Sequence, residues 1–188
     1  MQTSSLSKEV QAGIQTRLEH PFSLMFEAVI YRLAILREEQ IATFELIPEA
    51  EYKNIRIYVS NLAKIRRLIT GELTEMAYVS FIGDHRPGAL SAVEAVDRAL
   101  IGSSPKSSPI IGYFSLQDPM QAWVNLVLFD DLEMLSRWVK ATGHADDWSK
   151  AAEFFSAIHK SVGRLRYADG QVSLEPVRMT VRDYDAVA

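Results

Sequence analysis

The stretch AWVNLVLFDDLEMLSRWVKATGHADDW, residues 122–148, decides how this chain folds. Its first eight residues alternate as a strand does. Trp123, Asn125, Val127 and Phe129 fall on one side, and Val124, Leu126 and Leu128 on the other. An acidic turn, Asp130-Asp131, then hands over to helical spacing across 132–142. There Leu132, Leu135, Val139 and Thr142 share a stripe, with Met134 and Trp138 one turn apart beside it. Asp131 suits the N-cap, and Gly143 the residue after the helix. His144 therefore follows a helix C-terminus, close in sequence to Trp138 and Trp148. An imidazole among aromatic rings suits a ligand pocket.

Working outward, residues 76–83 form a short apolar strand. Residues 89–101 form a helix whose stripe runs Leu90, Val93, Val96 (or Asp97) and Leu100. A Gly/Ser/Pro loop leads to a strand at 110–116, and a turn at 117–119 joins it to the strand of the opening stretch. A second helix is expected over 146–158. Residues 161–168 and 171–181 flank Asp169-Gly170, a hairpin signal, with Pro176 confining the last strand to an edge or a bulge. From 76 onward the order is strand, helix, strand, strand, helix, strand. That is an α+β, ferredoxin-like split βαβ order. Two helices would cover one sheet face. The other apolar face needs a cover, which a second copy of the chain would supply, or residues 22–47 folding over it within one chain.

Residues 1–75 read as a partly helical N-terminal extension to a 76–188 domain. A short helix over 8–18 is expected to end at His20-Pro21. A buried helix over 22–36 follows, then strands at 41–47 and 54–60. In the second of these, Ile55, Ile57 and Val59 alternate with Arg56 and Tyr58, a half-buried pattern. Asn61 can cap a helix over 62–70 that Gly71 ends.

Composition narrows the function classes. With 48% hydrophobic and 23% charged residues, the chain has the balance of a globular domain. A net charge of -4 argues against a general nucleic-acid binder. With no cysteine there is no disulfide, thiolate nucleophile or Cys-ligated metal, which fits a cytoplasmic setting. The first residues lack the basic start and apolar core of a signal peptide. The apolar run 24–36 carries Glu27 and Arg32 and is too short to span a bilayer.

Residues 76–168 resemble the dimeric α+β barrel superfamily, which includes antibiotic-biosynthesis monooxygenases, haem-degrading monooxygenases and stress-responsive A/B barrel proteins. The resemblance rests on the hairpin IIGYFSLQD…AWVNLVLF, on DDLEMLSRWVKATGH, and on the order and length of the elements. Residues 1–75 have no counterpart in a minimal member. The resemblance implies a homodimer, with a pocket between sheet and helices. It implies a monooxygenase-type enzyme for a hydrophobic or aromatic substrate, needing no dedicated organic cofactor. A binding module for haem or another small hydrophobic molecule is the alternative it leaves open. Asn125, Trp138 and His144 are of the types found in the haem-degrading subgroup's Asn–Trp–His set.

On this reading His144 and Asn125 are the candidate catalytic contacts, and Trp138, Phe129 and Trp148 the substrate-binding walls. Each has a plainer role: His144 on the last helix carbonyls, the tryptophans in the core, Asn125 on an exposed strand side. His85, in the loop Gly83-Asp84-His85-Arg86-Pro87-Gly88, could meet an anion at a helix start, although an ordinary turn accounts for it as well. His159 and Lys160 are expected at the end of the 146–158 helix, offsetting its dipole. The four histidines are dispersed, so no metal spacing arises. A partner-docking role for the N-terminal helices is a third functional class.

Overall fold

A computed structural model describes residues 8–33, 42–45, 53–103, 109–142 and 148–185. The fold is α+β. Among the described residues seven strands form one antiparallel sheet: β1 (Ala42–Glu45), β2 (Lys53–Val59), β3 (Met76–His85), β4 (Gly112–Gln117), β5 (Trp123–Phe129), β6 (Phe155–Ala168) and β7 (Gln171–Asp183). Their order is β1-β2-β4-β5-β3-β6-β7, and every neighbouring pair is antiparallel. The N-terminal strand pair is therefore part of the same sheet, through β2 against β4.

The described residues also form five helices: α1 (Lys8–Leu33), α2 (Leu62–Ile69), α3 (Leu90–Ser103), α4 (Leu132–Thr142) and α5 (Trp148–Phe154). Asn61 Oδ1 accepts from the Lys64 amide at 3.0 Å to cap α2, and Asp131 Oδ1 accepts from Met134 at 2.7 Å to cap α4. No described helix is long and apolar enough to cross a membrane.

The register assigns the two sheet faces. Face A carries Trp123, Asn125, Val127 and Phe129 of β5, with Phe81 and Val79 of β3 and Tyr113 and Ser115 of β4 opposite them. Helices α3, α4 and α5 lie on it. Leu135 of α4 packs with Ala77, Val127 and Phe129, while Val93 of α3 packs with Trp123, Phe155 and Ile158. Face B carries Val124, Leu126 and Leu128 with Tyr78, Ile82 and Phe114, and α1 and α2 cover it.

Face B was expected to be covered by a second copy or by residues 22–47. It is the largest core cluster, filled by Ile14, Leu18, Phe22, Met25 and Phe26 of α1 and by Leu62, Ile65 and Leu68 of α2. The Phe26 ring stacks on Phe114 at 5.3 Å and on Tyr167 at 5.5 Å. Those partners stand on β4 and β6, three strand spacings apart, about 14 Å in a flat sheet. Phe26 thus joins aromatic rings carried by two strands that are not neighbours.

Three further expectations give way to packing. The break at His20-Pro21 does not occur, because α1 runs through Pro21. An interior proline costs about 3 kcal/mol. The five α1 side chains just named bury on both sides of it, each stabilising by roughly 1.5–3 kcal/mol. The helix expected over 146–158 stops at Phe154, so His159 and Lys160 lie inside β6 rather than at a helix end. The run Phe154-Phe155-Ser156-Ala157-Ile158 is compatible with either period, and pairing with β3 decides for the strand. Finally, β2 is buried on both sides: Arg56 and Tyr58, expected on a wet face, are each 4% exposed.

The β6–β7 hairpin turns at Asp169 (φ 52) and Gly170 (φ 79), the left-handed pair that Asp-Gly favours. Pro176 sits opposite Gly163 at a register shift. A Cβ on Gly163 would lie 2.1 Å from the Glu175 carbonyl oxygen, so only glycine fits there.

Candidate functional site

Face A contains a charged cluster that is almost dry. Asp97 of α3, 2% exposed, faces Arg56 of β2, 4% exposed, with Arg56 Nη1 3.1 Å from Asp97 Oδ2. The Ser115 hydroxyl donates to the same oxygen at 2.8 Å. The Tyr113 hydroxyl donates to Asp97 Oδ1 at 2.7 Å, and Asn125 Nδ2 donates to the Tyr113 oxygen at 3.2 Å. The Arg56 guanidinium also lies 5.5 Å from the centre of the Trp123 ring, with Glu94 4.0 Å away. Burial pushes the Tyr113 phenol well above its ordinary range, and the adjacent Asp97 charge adds to that. Tyr113 is thus a neutral donor.

Beside this cluster lies a half-open cavity of about 70 Å³. Phe81, Tyr113, Trp123 and Phe155 floor it, and Val93, Val96, Asp97 and Phe154 wall it from the helices. Val96, 48% exposed, stands at its rim. Gly83 makes room for the Phe155 ring, because a Cβ there would lie 2.5 Å from it. Phe81 meets Phe155 edge-on at 5.9 Å.

The residues singled out in the sequence fall into separate places. Asn125 is 5% exposed and belongs to the polar cluster rather than to a free strand side. Phe129, fully buried, packs against Trp138 at 5.4 Å under α4. Four residues of strand, about 14 Å, separate Asn125 from Phe129, so the two do not face one small ligand together. Trp148 opens α5, and His144 lies outside the described residues. His85 ends β3, with Nε2 3.4 Å from Gln117 Nε2. Its neighbour Arg86 ties down other chain segments, donating to the Ala152 carbonyl at 2.9 Å and pairing with Asp185 at 2.7 Å.

The sequence reading missed Arg56, Asp97, Tyr113 and Ser115 as a set. The available signal was a carboxylate, Asp97, on the apolar stripe of its helix, and an arginine between two isoleucines, Ile57 buried and Ile55 partly so. Charges at core positions need partners, and these are each other's. Among the described residues no cluster of His, Asp and Glu could hold a metal ion.

No protein-family model, characterised protein or solved structure matches this chain.

Proposed function

We propose that this protein binds a compact aromatic or apolar molecule between face A and helices α3 and α5. The unit β3-α3-β4-β5-α4-β6 would then be a ferredoxin-like split βαβ core, as its strand order β4-β5-β3-β6 supports. The observation that carries the reading is the aromatic cavity on Phe81, Trp123 and Phe155, with the Tyr113–Asp97 pair at its side.

Size limits the ligand. An engineered cavity that binds benzene measures about 150 Å³. A space of about 70 Å³ admits the edge of one ring, the rest of the ligand lying past Val96 toward solvent. A haem macrocycle or a polycyclic substrate does not fit it. Binding is favoured over catalysis because both Asp97 oxygens are already engaged by Tyr113, Ser115 and Arg56. A carboxylate so held positions its neighbours and has little capacity left to take a substrate proton.

Benzyl alcohol, titrated while the Val93 and Val96 methyls and the Trp123 indole are followed by NMR, tests this. Saturable shifts at those three residues are expected. Val96→Trp, at the exposed rim, should remove them while leaving the thermal melt in place. Shifts that are absent, or that persist unchanged in Val96→Trp, would reject the site.

A further inference from the structure

Eight side chains line the cavity, and three of them carry a polar atom: Asp97, Tyr113 and Trp123. Each has a fixed capacity for hydrogen bonds. A hydroxyl has one hydrogen to give, while a carboxylate has none and offers about four lone-pair sites. The Tyr113 hydrogen is committed to Asp97 Oδ1 at 2.7 Å, and the Tyr113 oxygen already accepts from Asn125 Nδ2 at 3.2 Å. Asp97 Oδ2 accepts twice, from the Ser115 hydroxyl at 2.8 Å and from Arg56 Nη1 at 3.1 Å. Asp97 Oδ1 accepts once, from Tyr113. Among the described residues, one acceptor site on the Asp97 carboxylate is therefore left, and it is on Oδ1.

The wall made by Asp97 and Tyr113 thus receives hydrogen bonds and gives none. Around it Phe81, Phe154, Phe155, Val93 and Val96 offer neither donor nor acceptor. Phe81 and Phe155 stand at 77° to each other, a corner that presents an entering ring with both a face and an edge. Trp123, on the floor, is the exception, because its indole N–H is a donor.

An acceptor-only group, such as an ether or a ketone, would set its lone pairs against those of a carboxylate that is 2% exposed. An O–H or N–H would instead fill the remaining site on Oδ1 with a charge-assisted bond. A site built around such a bond discriminates strongly against analogues that cannot make it.

Resting on the binding reading above, we propose that the ligand is an aromatic hydrogen-bond donor, of the phenol or arylamine class, whose O–H or N–H donates to Asp97 Oδ1. Asp97 then sets specificity, and Tyr113, Ser115 and Arg56 are positioning residues that fix its carboxylate. The donor lies on the ring or one bond from it, because a space of about 70 Å³ takes only the ring's edge. The bond orients the ligand and moves no proton.

Phenol, anisole and toluene share one ring and carry, in turn, a donor, an acceptor alone, and neither. Each is titrated while the Phe81 and Trp123 ring resonances and the Asp97 carboxylate carbon are followed by NMR. Phenol should bind about tenfold tighter than anisole, a difference worth about 1.4 kcal/mol. Anisole should bind no tighter than toluene, and only phenol should shift the Asp97 carboxylate carbon. In the double variant Arg56→Met/Asp97→Leu the acceptor is gone, and phenol and anisole should bind alike. A phenol preference that survives in that variant would overturn the proposal. Tyr113→Phe frees a second site on Oδ1 and should keep or widen the preference, which decides the matter if the double variant fails to fold. A preference lost in Tyr113→Phe would assign the contact to the Tyr113 oxygen, against the proposal. Anisole binding as tightly as phenol in the wild type would make the Trp123 N–H the polar contact, overturning the donor assignment while sparing the cavity. If none of the three probes binds, the cavity reading fails and takes this proposal with it.

Discussion

Asp97 and Arg56 set the sharpest constraint at the level of single residues. Two opposite charges at 2% and 4% exposure are stable only together. Taking each from water costs several kcal/mol, which their attraction and the added hydrogen bonds must offset. Removing Asp97 takes away a carboxylate 3.1 Å from a buried guanidinium, which Glu94 at 4.0 Å compensates less well. Asp97→Asn should therefore lower unfolding stability by about 3–5 kcal/mol, measured by urea denaturation. The double variant Arg56→Met/Asp97→Leu should lose less than Asp97→Asn alone, because no orphaned charge remains. A near-neutral Asp97→Asn would mean that water reaches Arg56, and that the cluster is wetter than its exposure indicates. The cluster was half legible in the sequence. Asp97 fell on the Leu90–Val93 stripe, but Arg56 alternates in β2 as a solvent-facing residue would. Nothing local to β2 says that α3 will pack over it.

At the level of elements, α1 does more than fill face B. It runs beside the outer edge of β7, where a strand has backbone groups without a strand partner. Gln15, Glu19 and Ser23, four residues apart on the helix, meet that edge. Ser23 Oγ accepts from the Val172 amide at 2.9 Å, and Glu19 Oε1 accepts from Leu174 at 2.7 Å. Gln15 Nε2 donates to the Leu174 carbonyl at 2.5 Å. A helix thus stands in for the missing strand. Glu19→Ala should cost about 1.5–3 kcal/mol, the range for a hydrogen bond to a charged group. Amide exchange should accelerate at Leu174 more than at Val172, and Ser23→Ala should reverse that order. Equal exchange at both amides in both variants would show that the edge opens as one unit. This contact could not be read from the sequence, since it joins residues about 150 apart. What could be read was local: the Asp169-Gly170 turn, the Asn61 and Asp131 caps, and the alternation of β5. Where the reading failed, at Pro21 and at residues 155–158, local preference met a packing interaction of larger energy.

On the scale of the whole molecule, the sequence order of strands and helices from residue 76 onward implied an apolar face that must be covered. That requirement was sound, and the cover turned out to be intramolecular. Tyr78, deep in face B, shows how closed it is: burial pushes its phenol up to about 12, the effect exceeding that of its 2.8 Å hydrogen bond to Ser161. Covering face B within the chain removes the driving force that a second copy would otherwise supply. Each apolar Å² left in water costs about 25 cal/mol. The full chain should therefore sediment as a monomer, and a chain lacking α1 should self-associate. Its newly exposed surface would include Ile57, Phe114, Leu126 and Leu128, all fully buried in the intact fold. Sedimentation velocity on both chains decides the matter. A truncated chain that stays monomeric and folded would mean that α2 suffices to close face B. A dimer of the intact chain would place its contact away from face B, and Val177 of β7, 60% exposed, would be the first residue to substitute.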